Sequence, residues 1–520
     1  MNDVWTRRAT RRGVIGGLGI GVGAMALPAA LGGAPQAWAQ ATPGAPAELA
    51  PSMTIDLAAE PPTLDPALVY DNDGWSVIHS IYDALVQYGP GGDLQPLLAE
   101  SLTPLDPTTY EIKLRQGIVF HNGEPFDASA VSFSVAHILD PETKSQVAQN
   151  FAVIDKVDEI DSHTVHLKLS APAPWLPGQM AAWLCMLPPK YAVDPANDFA
   201  NRPVGTGPYR FVNWERGAKV ELQANPDYPP LSPKGRPTAA KVAFRFVLEG
   251  STRVADLLAR TADLIRGVPT DQVPAVADAG EVITEPISGS AWVRIATDVA
   301  PFDDVRMRQA LNYAIDVDGI VQALLDGNGQ RLPNFFVPGG LGYDPALKPY
   351  PYDPEQAKAL LAAAGHGDGF DTQMSVTTAE RLDIAQAIAG QLAEVGVRAE
   401  VIPTETATFN ATWTDKSSPP LRFATWRPMF DPYTLLSLVV AEKGFLSRYD
   451  NPNAEPLLQA AAIEPNPDNR GKSYRELGKI LRDEPAAIYL YRLTSLYGLR
   501  KGAPRWTPRP DDYIIPTAVE

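Results

Sequence analysis

Residues 111–140 read EIKLRQGIVFHNGEPFDASAVSFSVAHILD. With Tyr110 in front, the run alternates: Tyr110, Ile112 and Leu114 on one side, Glu111, Lys113 and Arg115 on the other. That is the period-two pattern of a strand with one buried face. Gly117 interrupts it, and a second apolar run at 118–120 leads to His121-Asn122-Gly123. Asn-Gly between apolar segments is a strong turn signal, so the chain reverses there. Asp127 stands where a helix N-cap is needed, its carboxylate able to accept an early helical N–H, and Val131, Phe133, Val135 and Ile138 supply the packing side chains that follow. Strand, turn and capped helix thus occupy one short stretch.

Outward from it, similar signals recur. A strand is expected over 52–57, a helix over 76–88 with Val77, Ile81, Leu85 and Tyr88 on one face, and paired strands over 154–160 and 164–169. PVGTGPYR at 203–210 suits a tight turn feeding a strand at 209–214; its G-x-G precedes no helix, which argues against a dinucleotide site. Further strands and helices are expected at 241–248 and 251–260. Asp303 or Asp304 caps a helix packed by Val305, Ala310, Leu311 and Ala314. YDPEQAKALLAAAG at 352–365 is a helix stopped by Gly365, and a helix at 384–394, Gly396 and a strand at 397–402 form a unit of the kind found in parallel sheets.

Four of these segments, in order, resemble the family 5 extracellular solute-binding proteins, the receptors of ABC importers for peptides, nickel and opines. The first is the opening run, through Leu114, Arg115, Gly117, Phe120, His121, Gly123, Pro125, Phe126, Ala128, Val131, Phe133 and Ser134; it departs from the pattern at Ser129-Ala130. The others are 203–210, the PFDDVRMRQALNYAID run at 301–316 and the helix at 352–365, joined by the P-x-x-L-D-P turn at 61–66. The resemblance covers about residues 52 to 515. It implies an α/β chain with the two-lobed periplasmic binding protein fold and an additional inserted subdomain, the cluster C type. Lobe I would comprise 52–88, 205–290 and 488–520, with the subdomain at 89–204 inserted in it. Lobe II would span 291–487, and crossings near 288–292 and 488–491 would act as hinges.

The composition fits. A chain of 520 residues exceeds the size of one growing core. Its 51 prolines, about twice the usual share, sit in turn-like settings within an ordinary apolar content of 45%, which favours a loop-rich globule over disorder. Thr10-Arg11-Arg12-Gly13-Val14-Ile15 resembles a twin-arginine export motif, followed by a Gly- and Ala-rich apolar core at 16–31 and a small-x-small cleavage site at Ala37-Trp38-Ala39. The segment is too glycine-rich for a permanent span, and no Cys follows it to carry a lipid. Residues 1–39 are therefore expected to be a cleaved signal and 40–51 a flexible leader, leaving a soluble periplasmic chain with 40 basic and 60 acidic side chains, formal charge −20. Such a globule is a poor nucleic-acid ligand. The single cysteine, Cys185, lies in an apolar run and is expected to be buried and inert.

No G-x-S-x-G, H-E-x-x-H, C-x-x-C or P-loop occurs, so the chain is read as a binding protein and not an enzyme. His163 and His166 have no third ligand nearby, and neither a metal nor a cofactor is called for. The resemblance places the cleft wall at FATWRPMFDP, 423–432. Trp426, Arg427, Phe430 and Asp431 are candidates there, although Pro428-Met429 stand where peptide receptors carry the aspartate that meets the ligand's amine. Arg427 would suit a ligand carboxylate or phosphate. On the facing lobe the candidates are Tyr70, Asn72 and Trp75, with Ser290 and Trp292 at the first crossing and Trp183 at a strand edge of the subdomain. The expected role is capture of a small solute, a short peptide or peptide-like compound, by a monomer that delivers it to an inner-membrane ABC permease after passing the twin-arginine translocase. A nickel chelate, an opine or a sugar derivative are rival ligands; a sensory receptor or an exported hydrolase are rival classes.

Overall fold

The structure, a computed structural model, describes residues 49–89, 91–378, 380–413, 415–426 and 431–518. The expected signal, most of the leader, Arg427 and Phe430 lie outside the described residues.

The opening run forms the strand Thr109–Leu114, with Ile112 and Leu114 buried, in a four-stranded antiparallel sheet with Ala99–Asp106, Ile154–Asp161 and Thr164–Leu169. The turn closes through an antiparallel bridge from Val119 to Pro125. Asp127 caps the helix Ala128–Leu139 by accepting from the Ser129 N–H at 3.0 Å. His121 then joins this unit to the 203–210 segment. Its Nε2 lies 3.0 Å from the Gly207 carbonyl and its Nδ1 3.3 Å from the Gly205 N–H, the pattern of a neutral ring with the proton on Nε2. Gly205 and Gly207 are themselves pressed on the end of the first helix: a Cβ would stand 2.2 Å and 2.6 Å from the Ile81 carbonyl oxygen.

The helix expected over 76–88 is two elements instead, the helix Asn72–Ile81 and the short strand Val86–Tyr88. Its last carbonyls are taken by distant groups that a window of sequence does not contain. Gly207 N–H donates to Ile81 O, and the Lys234 ammonium donates to His79 O and Tyr82 O at 3.0 and 2.8 Å. Lys234 also pairs with Asp83 at 2.5 Å, and both side chains are almost wholly buried. Thr206 and Tyr228 hydroxyls complete the shell of that carboxylate.

Among the described residues one eleven-stranded sheet traverses the molecule. Its centre is an antiparallel pair of long strands, Gly280–Ile295 and Ala487–Arg500. On one side lie Leu264–Arg266, Met53–Leu57 and Lys241–Phe246, mutually parallel, then Lys219–Ala224 and Tyr209–Glu215. On the other lie Leu421–Trp426, Phe370–Thr377 and Val397–Thr404, also mutually parallel. The register of the central pair shifts on both sides of Ser290. Separate apolar cores flank that point. The first gathers Met53, Ile55, Ile81, Phe120 and Ile514. Beyond Ser290, alternate strand residues feed two layers: Val293, Ile295 and Phe423 join Met374 and Ile388, whereas Trp292 joins Phe335, Leu436 and Tyr489.

Cys185 is buried, and burial pushes its thiol up to about 12. No described helix is long and apolar enough to cross a membrane.

Two outcomes follow. Lys234→Met leaves Asp83 buried without its cation and should lower unfolding free energy by about 3–5 kcal/mol in urea melts. Burial lowers the His121 pKa from 6.5 to about 4, so the unfolded chain takes up a proton that the folded one refuses. Stability should fall as pH drops from 6.5 toward about 4, and His121→Gln should flatten that part of the melting profile.

Candidate functional site

The register shift near Ser290 opens the sheet where the two lobes meet, and a cavity of 470 Å³ lies over it. Glu285, Pro286 and Ser288 of the first long strand and Arg492 of the second form its floor. Lobe II supplies residues 336–341 with Asp431 and Pro432; Tyr88, Gly91, Pro510 and Asp511 face them.

The charges in this cavity differ in how they are held. Asp431 is gripped by Arg470 through two hydrogen bonds of 2.6 and 2.7 Å and caps the helix Pro432–Val439 by accepting from Tyr433 N–H. Asp511 is held by Arg509 at 2.6 Å. Arg492 donates to the carbonyls of Ile287 and Pro286 at 2.8 and 2.6 Å, satisfying oxygens where the strand ladder breaks. Glu285 has no hydrogen-bond or ion-pair partner among the described residues, and its pKa is raised by burial, against the pull of Arg492. Glu380, an acid outside the lining of this cavity, follows the strand Phe370–Thr377 at its C-terminal end, the end where ligands bind in open α/β sheets. It accepts from Thr425 Oγ1 at 2.6 Å beside Trp426, and burial raises its pKa also.

Away from the central strand pair, the lobes touch. Trp175 stacks on Tyr433 with ring centres 5.1 Å apart, and Gln179 Nε2 donates to Thr434 Oγ1 at 2.7 Å. The cleft is closed on this side.

The residues expected from the sequence are dispersed around this cavity. Asp431 lines it, but its carboxylate is committed to Arg470. Ser290 is buried opposite half-buried Trp426 in the strand pairing. Asn72 donates to Asp512 at 2.8 Å and so ties down the C-terminal tail. Tyr70 is half-buried, its ring 6.4 Å from that of Trp183. Three of the expected side chains do not line this cavity. Trp75 is fully buried and stacks on Tyr513, on the helix face it shares with Asn72, where the C-terminal tail covers it. Trp292 packs edge-on against Phe335 within lobe II, on the inward side of its strand. Trp183 ends the helix Leu176–Trp183, where a strand edge was expected. Glu285 and Glu380 were not singled out from sequence; the position of Glu380 after a parallel strand was the available signal.

Residues 93–446 match the profile of bacterial extracellular solute-binding proteins, family 5 Middle, which is well over half of the chain. The chain belongs to this family. Heme-binding protein A of Haemophilus influenzae is 28% identical over 471 residues, covering 82% of this chain and 84% of the relative. The probable D,D-dipeptide-binding periplasmic protein of Escherichia coli is 28% identical over 464 residues, covering 85% and 88%. The solved structure of HbpA2 from Haemophilus parasuis superposes with a TM-score of 0.77 at 25% identity, over 89% of this chain and 98% of that one. Family 5 members are binding proteins that work with ABC permeases, and this chain is a two-lobed solute-binding protein of that kind.

Tyr433→Ala would remove from the closed form an aromatic pair worth about 0.5–1.5 kcal/mol. The open population should rise roughly two- to tenfold, seen as a larger radius of gyration in small-angle scattering of the unliganded protein.

Proposed function

We propose that the protein, exported to the periplasm through the twin-arginine route as a monomer, captures a short peptide or peptide-like solute carrying a protonated amine and presents it to an inner-membrane ABC permease. Glu285 carries this reading. Among the described residues it is the acid of the interlobe cavity left without a partner, whereas Asp431 is consumed by Arg470. A ligand ammonium would favour its ionised form and make a charge-assisted hydrogen bond worth about 1.5–3 kcal/mol. Glu285 thus stands in for the amine-binding aspartate that the 428–429 positions lack. The cavity volume suits a small solute. Among relatives, one is named for D,D-dipeptides and others for glutathione, both amine-bearing peptides. Closure of the Trp175–Tyr433 contact over the bound solute gives the permease a distinct conformation to recognise.

A thermal-shift panel of di- to pentapeptides, their N-acetylated forms, opines, metal chelates and oligosaccharides tests this. A ligand at one hundred times its dissociation constant adds about 2.7 kcal/mol, and free-amine peptides should give the shift while acetylated forms lose it. Glu285→Gln should weaken binding by roughly 10- to 100-fold. Equal shifts by acetylated peptides would overturn the amine assignment, and turnover of a panel member would overturn the transport role.

A further inference from the structure

Lobe II holds a second cluster of charge, away from the cleft. Arg294 and Arg422 face each other in the strand pairing, on the same side of the sheet as Trp292. Arg294 lies four residues along the first long strand from Ser290, about 13 Å distant at ordinary strand rise. Their guanidinium carbons sit 5.7 and 4.6 Å from the ring centre of Trp413. Arg448 joins them from a separate segment, its carbonyl fixed by Thr297. All three are nine-tenths buried or more: Arg294 is 2% exposed, Arg422 1% and Arg448 7%.

The donors of these groups divide into two sets. The Nη atoms of Arg294 and Arg422 serve carbonyls: Arg294 meets those of Trp413 and Pro419, Arg422 those of Thr412 and Phe409. That work fixes the loop ahead of the strand Leu421–Trp426. Arg448 places only its Nε on a carboxylate, that of Asp298, at 2.8 Å. Both of its Nη atoms, together with Nε of Arg294 and Nε of Arg422, are buried without a hydrogen-bond partner among the described residues. Asp298 is also shared with Lys416 at 3.8 Å. Of the three guanidiniums only that of Arg448 touches the partly exposed Asp298 carboxylate, and burial, together with the neighbouring positive charges, lowers the pKa of Arg294 and of Arg422. Unpaired buried donors of this kind are costly and call for a negative partner.

We propose that the Arg294–Arg422–Arg448 cluster of lobe II is a binding site for a small inorganic anion of the halide class, held chiefly by the two unpartnered Nη groups of Arg448. The burial of every donor favours a monatomic ion over an organic acid. Its role is structural and independent of the cleft ligand: it neutralises the cluster that pins the backbone of Phe409, Thr412, Trp413 and Pro419 behind the cleft wall.

The test uses the full-length mature protein in chloride against gluconate at constant pH and ionic strength, with no cleft ligand. Chloride should raise the melting temperature saturably by roughly 2 °C or more. Arg448→Gln should abolish that dependence, and Asp298→Asn, which removes the competing carboxylate, should shift it to lower chloride. Crystals grown in bromide should show an anomalous peak within hydrogen-bond distance of Arg448 Nη. A wild-type melt indifferent to chloride, a dependence undiminished in Arg448→Gln, or bromide absent from Arg448 would each overturn the assignment. Should Arg448→Gln fail to fold, the bromide map of the wild type decides. None of these readouts involves Glu285, so the outcome stands apart from that of the amine test.

Discussion

The antiparallel pairing of Gly280–Ile295 with Ala487–Arg500 is the constraint on which the rest depends. Each strand belongs to the sheet of both lobes, so a single ladder carries the chain across the hinge twice. The ladder slips on either side of Ser290, and such irregularities bend and twist a strand while leaving backbone groups unpaired. Arg492 meets two of those groups, the carbonyls of Pro286 and Ile287. The ladder is thereby both weakened in its pairing and held in place. The cavity sits over it because that is where the sheet can no longer be covered by packed side chains.

Charge buried in this protein sorts into two kinds. Lys234 with Asp83, and Arg470 with Asp431, are matched by distance and by further donors or acceptors, and each fixes a helix end. Such pairs define structure, since removing one partner strands the other. Glu285 and Arg448 differ: neither has its full complement of partners within the described chain. The first faces a cavity between lobes, the second a closed layer inside one. That contrast in surroundings separates an exchangeable organic solute from a small ion retained with the fold.

Much of the architecture was legible because it is written locally. The alternation before Gly117, the Asn-Gly reversal and the Asp127 cap each depend on neighbours within a few residues, and each forms where expected. The helix after residue 71 was misjudged in length because its end is decided by Lys234 and Gly207, more than a hundred positions away. Tryptophans are hard to place from sequence for a related reason. Trp75 and Trp292 occupy positions beside the cleft in sequence, but whether an indole meets solute or core depends on which face of its element turns inward. Glu285 belongs to no motif read from the sequence; only the fold brings it to the wall of a cavity. The arginine cluster is drawn from three segments and carries no motif at all.

The sheet order also bears on how the protein can be made. Lobe I begins with Met53–Leu57, yet its parallel core strand Leu264–Arg266 is covered on the far side by Ala487–Arg500, and Arg236–Pro237 pairs with Thr517–Ala518. The first lobe therefore stays incomplete on the ribosome until residue 518 has been synthesised, even though most of it emerges early. Lobe II lies between these parts and can consolidate first. Folding of the first lobe therefore waits for strands far along the chain, and its early segments must be kept from wrong partners until those strands are made.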